Sequence, residues 1–299
     1  MKDELSKYSE VIEHAELKNY NTYHINGKAK YLVLPNSVQD LEKIIKFLKE
    51  KNIKYIVLGN GSNIVLNDKE YDGVMIKLSK LDGIEVYPEK EMAYAEAGAM
   101  VPKLVQLAVD NSMTGLEFAA GIPGTVGGAI YGNAGAYNAC FLDYVTSVTC
   151  LDKETYDIVT LDHEDFTYSY RTSSFKEEKK YIILGAKFFL KIGDKQNSLD
   201  IMADRKRRRV ESQPLEFPSA GSVFRNPDGD FAGRLIESCE LKGKRIGGAE
   251  VSTKHANFII NVDNATGKDI HDLIMLVHDT VLEKTNVDLV IEQEFVDWE

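Results

Sequence analysis

Paired cysteines, membrane-length apolar runs and an excess of positive charge are all missing from this sequence. Its three cysteines, Cys140, Cys150 and Cys239, have no C-x-x-C spacing and no histidine at metal-ligand intervals. They predict free thiols in a reducing compartment, with no disulfide framework and no metal site. His163, His255 and the remaining histidines form no cluster. No run of about 18 uninterrupted apolar residues occurs, so no membrane span is expected. The opening residues MKDELSKYSE carry no apolar core of the signal-peptide kind, and a cytoplasmic location is the expectation. A formal net charge of −11 argues against nucleic acid as a partner. Repeats, low-complexity linkers, the G-x-x-x-x-G-K-[ST] phosphate loop and the G-x-S-x-G nucleophile elbow are absent too.

What the chain does have is glycine, concentrated in one place. Residues 116–137 read LEFAAGIPGTVGGAIYGNAGAY. Gly121, Gly124, Gly127, Gly128, Gly132 and Gly135 each cost a helix about 1 kcal/mol relative to alanine, and Pro123 about 3. The stretch is therefore expected as successive turns whose bare backbone approaches something closely. Converging N–H groups in such turns form anion-binding concavities that suit a diphosphate; tight packing inside a core is the alternative. Gly59-Asn60-Gly61-Ser62-Asn63 repeats the theme between two short apolar strands. It is not the dinucleotide fingerprint G-x-G-x-x-G, because Ile64 stands at the third glycine and no helix follows. Taken alone, it is equally an Asn-Gly turn joining two strands.

A chain of 299 residues has room for two or three domains with a substantial core. Apolar Leu5, Tyr8, Val11, Ile12 and Leu17 predict an amphipathic helix over 3–17. A strand over 29–34 stops at Pro35. Ser37, with Asp40 three residues on, starts a helix whose Leu41, Ile44, Ile45 and Leu48 share a face. With a strand at 54–58 this makes the strand–helix–strand unit of a small α/β domain. Brief strands at 64–66, 73–78, 83–87 and 92–96 lead to a helix at 101–111. Further strands are expected at 144–151, 157–160 and 182–190, then a polar helix at 197–210. The remainder reads as a helix at 232–239, a strand at 257–262 and a helix capped by Thr266. That last helix carries Ile270, Leu273, Ile274, Val277, Val281 and Leu282 in one stripe, and a strand at 289–296 closes the chain. The fold class is α+β.

Four polar segments are candidates for chemistry. The basic run from Arg205 to Arg209 wraps the whole circumference of a helix, so most of its charge is solvated, with one or two arginines in reach of an anionic ligand. Tyr168-Ser169-Tyr170-Arg171 gathers aromatic and cationic side chains without helical period; a surface ion pair is the plainer reading of the arginine. In SAGSVFRNP, Ser222 reads as a proton donor, a phosphate ligand or a turn residue. Near the end, Ile291-Glu292-Gln293-Glu294-Phe295 places two carboxylates on one face of a strand, because strand side chains alternate.

Taken in order, NTYHINGKAKYLVLP, LGNGSNIVL, AGIPGTVGGAIYGNAGAY, YSYRTSSFK, QPLEFPSAGSVFRNP, AGRLIESCELKGKRIGGAEVSTKHANFIIN and IEQEF resemble the MurB reductase family of peptidoglycan precursor synthesis. The ordered set covers nearly the whole chain from residue 20 onward. The resemblance implies an FAD-binding fold of the vanillyl-alcohol oxidase type, built as two α/β subdomains at 1–80 and 81–200, with the strand at 289–299 returning to the first. An α+β substrate-binding domain at 201–299 would follow. It implies non-covalent FAD, NADPH as reductant, and reduction of UDP-N-acetylglucosamine enolpyruvate to UDP-N-acetylmuramate.

By motif, the resemblance puts cofactor contacts on Gly59, Asn60, Gly61, Ser62, Asn63, Gly121, Ile122, Pro123, Gly124, Gly127, Gly128, Asn133 and Gly135. Arg171 matches the family's catalytic arginine, Glu294 the second glutamate of its E-P-E motif, and Ser222 the serine that protonates the substrate's α carbon. Asn226 matches a polar substrate contact, and Tyr170 and Arg209 follow as further substrate-binding residues. Gln293 stands where the motif usually has proline. The short interval from Phe175 to Tyr181 leaves no room for the tyrosine-bearing loop of one branch, so the chain looks like the shorter, second type. A flavin oxidase on the same fold and a non-catalytic nucleotide-binding protein are the alternatives.

Overall fold

Ser37 starts the helix Val38–Glu50 by accepting the Asp40 N–H at 3.1 Å, and Leu41, Ile44, Ile45 and Leu48 on its inner face are fully buried. That one face joins Leu104 and Val105 of the helix Val101–Asp110, and Val126 and Ile130 of the helix Val126–Tyr131, in a single apolar core. The computed structural model describes residues 1–298. The chain divides into two units: Met1–Glu13, Tyr31–Asn60 and Gly73–Arg207 make the first, and His14–Lys30, Gly61–Asp72 and Arg208–Glu299 the second.

The core above belongs to the first unit. A four-stranded sheet orders Ser9–Glu16, Lys28–Pro35, Glu70–Lys77 and Tyr55–Leu58, and three of its strands carry the chain across the division. Tyr55–Leu58 runs parallel to Glu70–Lys77, in register Tyr55 to Val74, and the connection between them carries the strand Ile64–Leu66. A second, antiparallel sheet orders Ile158–Asp162, Val145–Asp152, Tyr181–Phe189, Met92–Glu96 and Ile84–Tyr87.

In the second unit, Arg245–Ile246, Ala249–Val251 and Ile259–Asn261 form an antiparallel sheet. The helix Gly267–Thr285 packs on it through Ile270, Leu273, Ile274 and Val277. Thr266 and Asp269 close a reciprocal capping box at its start, each bond 3.0 Å, which satisfies two otherwise orphaned donors. Glu294–Val296 pairs in parallel with Ile64–Leu66.

Four expectations fail for identifiable reasons. Residues 3–17 are a single helical turn, Lys2–Leu5, followed by the strand Ser9–Glu16. Their short apolar pattern suits either element, and sheet pairing with residues distant in sequence decides it. The glycine stretch is not all turns: Val126–Tyr131 is helical. Thr125 caps it, and burial of Val126, Ala129 and Ile130 outweighs the helix penalty of two glycines. Leu282 is 38 % exposed and leaves the stripe expected to bury it. The strand over 289–296 shrinks to Glu294–Val296, preceded by an isolated bridge at Ile291, because the segment changes partners: up to Glu292 it bonds residues 223–225, and from Glu294 it pairs with Ile64–Leu66.

Candidate active site

The two glycine-rich segments meet in the first unit. Asn60 Nδ2 donates to the Pro123 carbonyl at 2.7 Å, and a Cβ on Gly59 would stand 2.7 Å from Thr125 Oγ1. The loop over 59–63 is not a hairpin, since the strands it joins pair elsewhere, Tyr55–Leu58 with Glu70–Lys77 and Ile64–Leu66 with Glu294–Val296. Gly61 holds φ +68, and a Cβ there would lie 2.2 Å from the Tyr20 carbonyl oxygen, so no side chain fits. Close packing thus accounts for these glycines. The backbone also leaves something over. The N–H groups of Asn60, Gly61 and Ser62 meet no acceptor among the described residues. At the start of Val126–Tyr131, by contrast, Val126 N–H goes to Ala99 O at 2.8 Å, Gly127 N–H to Ala97 O at 2.9 Å and Gly128 N–H to Thr125 Oγ1 at 3.4 Å. Among the described residues the N–H groups of Gly121 and Gly124 likewise meet no acceptor, so both glycine segments hold backbone donors that could serve a diphosphate, while Gly127 and Gly128 offer bare Cα surface. This donor set fits a dinucleotide such as FAD.

Arg171 is fastened to the far end of the glycine stretch. It occupies a two-residue turn between Tyr168–Ser169 and Thr172–Ser173, with φ +61. Asn133 Nδ2 donates to Ser169 O at 2.8 Å, Asn133 Oδ1 accepts Leu142 N–H at 3.3 Å, and Ser173 Oγ donates to Tyr131 O at 2.7 Å. Asn133 is thus the bracket between the stretch and the arginine turn. The guanidinium carbon lies 5.7 Å from the Tyr170 ring centre, and Tyr170 is exposed. Burial pushes the Cys140 thiol up, an effect opposed by the Arg171 charge nearby.

Ser222 and Glu294 come together in the second unit. Ser222 bridges Phe258, and Phe224 bridges Ile291. Glu292 N–H donates to Val223 O at 2.8 Å, and Arg225 N–H to Val290 O at 2.9 Å. Asn257 clamps Phe224 from both sides, its Oδ1 accepting Phe224 N–H at 2.9 Å and its Nδ2 donating to Phe224 O at 2.8 Å. Asn63 reaches the same segment: its Nδ2 donates to Glu292 O at 3.1 Å, and its carbonyl accepts Glu294 N–H at 2.9 Å. Gln293, 4 % exposed, lies between half-exposed Glu292 and Glu294. Arg209 and Asn226 are held by neighbours of their own, Gln213 Oε1 at 3.0 Å from Arg209 Nε and Ala232 N–H at 3.1 Å from Asn226 Oδ1.

Three residues with no sequence signal support this arrangement. Lys77 Nζ donates to Gly59 O at 2.8 Å, and burial holds its ammonium below the usual lysine range. Glu117 anchors the start of the glycine stretch, accepting from Ser198 Oγ and Thr114 Oγ1 at 2.6 Å each and from Gly115 N–H at 2.9 Å. Burial would raise its carboxyl, and those bonds together hold it below the usual value. Tyr23 is fully buried and donates to Gln293 Oε1 at 2.9 Å. Among the described residues no group of three or more acidic, histidine or cysteine side chains could hold a metal, and no helix is long and apolar enough to cross a membrane.

Comparison with known proteins matches both regions. Residues 29–162 fit the FAD binding domain family model, and residues 213–296 fit the UDP-N-acetylenolpyruvoylglucosamine reductase C-terminal domain. A UDP-N-acetylenolpyruvoylglucosamine reductase of Clostridium novyi is 43 % identical over 287 residues, 96 % of this chain and 92 % of that protein. The crystal structure of the corresponding reductase (MurB) from Thermus caldophilus gives a TM-score of 0.79 at 32 % identity, covering 96 % of this chain and 98 % of that one. Phl p 4, a glucose dehydrogenase, shares the fold alone, with a TM-score of 0.51 at 13 % identity over 75 % of this chain and 51 % of that one. The fold is α+β, of the FAD-binding, vanillyl-alcohol oxidase type.

Proposed function

The chain belongs to the UDP-N-acetylenolpyruvoylglucosamine reductase family of FAD-dependent oxidoreductases, and from that premise we propose that it uses NADPH to convert UDP-N-acetylglucosamine enolpyruvate to UDP-N-acetylmuramate. It would do so as a cytoplasmic enzyme of peptidoglycan precursor synthesis, with residues 201–299 as the substrate-binding part. When bound, FAD would supply the two-electron chemistry that links NADPH oxidation to reduction of the enolpyruvyl ether.

The chain's residues bind and manage charge. Lys77 and Asn60 hold the glycine loop whose backbone N–H groups would bind the cofactor's diphosphate. Arg171 offsets the negative charge that develops on the substrate carboxylate, and Glu294 takes the part of the family's second glutamate. Ser222 Oγ–H gives its proton to the α carbon and recovers one from solvent, completing net addition of hydride and proton across the double bond. Tyr170, Arg209 and Asn226 hold the rest of the substrate.

The observation that carries this reading is the direct bonding of the Ser222 segment to the segment bearing Glu292 and Glu294. It lies within the region matched outside the FAD-binding domain, which favours the reductase over an oxidase on the same fold. The test is anaerobic. NADPH should bleach the bound flavin, and UDP-N-acetylglucosamine enolpyruvate should restore its colour. A flavin that stays bleached overturns the reading.

A further inference from the structure

We propose that Gln293 is a positioning residue for the Ser222 hydroxyl, its carboxamide tying the turn before Ser222 to the buried phenol of Tyr23. The inference rests on Ser222 being the proton donor.

Both ends of this amide are engaged. Its Oε1 accepts the Tyr23 O–H at 2.9 Å, and its Nε2 donates to Ala220 O at 3.2 Å and to Gly221 O at 3.5 Å. The orientation is unambiguous, because the two carbonyls can only accept and so must face the NH₂ group. Ala220 and Gly221 lie immediately before Ser222. Gly221 has φ +76 and open space where a Cβ would be, so its conformation is not fixed by side-chain packing of its own. Downstream, Ser222 is held by Phe258, Asn257 and Glu292. Upstream, Pro218 O accepts Asn261 N–H at 2.9 Å, the Tyr23 phenol bonds the Ala220 backbone, and Gln293 ties both Ala220 and Gly221.

Tyr23 gives the tie a fixed post. It has no exposed surface, its carbonyl accepts Asn261 Nδ2 at 2.9 Å, and the Asn21 side chain braces the turn around it through Leu17 O at 2.7 Å and Ile25 N–H at 3.1 Å. Burial pushes the Tyr23 phenol far above its usual value, so its O–H remains a donor at any working pH. A proline at 293, the usual residue of the E-P-E motif, has no side-chain polar atom with which to make these bonds. Here the serine's placement depends on the glutamine.

The experiment measures the two anaerobic half-reactions for Gln293→Leu and Tyr23→Phe, each alone and combined with Ser222→Ala. Each single change should slow substrate-driven reoxidation about 10-fold, less than the roughly 10²-fold that a 1 Å misplacement costs, and should raise its solvent deuterium isotope effect. Flavin reduction by NADPH and FAD occupancy should not change. In the Ser222→Ala background neither change should slow reoxidation further, because a residue acting through Ser222 has nothing left to position. Additive slowing in that background, equal loss in both half-reactions, or unaltered reoxidation in the single variants each overturns the inference. If Gln293→Leu fails to fold, Tyr23→Phe, which removes one buried oxygen and keeps the ring, decides alone. Should Ser222→Ala itself leave reoxidation intact, the proton-donor reading falls and this inference with it. A slow Ser222→Ala beside a normal Gln293→Leu overturns this inference only.

Discussion

Arg171 sits where a glycine would be at ease. Its φ of +61 lies in the left-handed region, where a side chain costs of order 1–2 kcal/mol. Strain of this kind persists only where the surroundings enforce it, and here Asn133 and Ser173 do so through three bonds. Arg171→Gly should therefore leave the melting temperature unchanged or raise stability by up to about 1 kcal/mol, while slowing substrate-driven reoxidation roughly 10²- to 10³-fold. Calorimetry and stopped-flow absorbance would report the two effects separately. A marked fall in melting temperature would mean that the arginine supports the turn instead of being strained by it. Short motifs single out Arg171, Ser222 and Glu294 in the sequence as candidates. No motif singles out Glu117, Lys77 and Tyr23, since each bonds a partner distant in sequence: Ser198, Gly59 and Gln293.

At the level of elements, the glycine stretch shows where composition stops being informative. Six glycines in 22 residues argue for turns, yet core burial of three apolar side chains makes a helix over Val126–Tyr131. The distinction lies in what each glycine faces, which a sequence does not record. It can be measured. Gly61→Ala must place a Cβ 2.2 Å from the Tyr20 carbonyl oxygen at a left-handed φ, whereas Gly132→Ala meets only Gly128 O at 3.7 Å. Gly61→Ala should lower FAD occupancy, read as flavin absorbance per protein, together with melting temperature. Gly132→Ala should leave both near wild type. Similar losses in the two variants would remove the steric argument. The misread segment 3–17 makes the same point: five apolar residues fit a helix face or a strand, and only the sheet partner settles which.

For the molecule as a whole, two histidines of the second unit respond oppositely to pH. His278 bonds Asp279 and Asp288 at 2.9 Å each, which raises its pKa above the ordinary 6.5, the Asp279 bond contributing most. Its stabilising effect is complete below 6.5 and is lost as pH rises through the raised folded value. His255 is depressed, chiefly by burial, and its Nδ1 accepts Asn257 N–H at 3.2 Å, a bond only the neutral ring can make. Its contribution is present above 6.5 and lost as pH falls through the lowered folded value. Melting temperature against pH should accordingly flatten on the alkaline side in His278→Gln and on the acid side in His255→Gln. The reverse pattern would refute both signs. Asn257 also clamps Phe224 beside Ser222, so the acid limb should appear in reoxidation as well as in stability.

The alternation of the two units along the chain has a consequence for how the protein is made. Residues 14–30 and 61–72 leave the ribosome early, but the remainder of their unit begins only at Arg208. At about 5–20 residues per second, those two segments wait many seconds with their apolar faces uncovered. Tyr23 is the extreme case, because the residue that receives its hydroxyl is Gln293. The nascent chain is thus exposed to aggregation until residue 293 has emerged. A ribosome-bound chain stopped at residue 207 should remain protease-sensitive within 14–30, and release of the full chain should protect that segment.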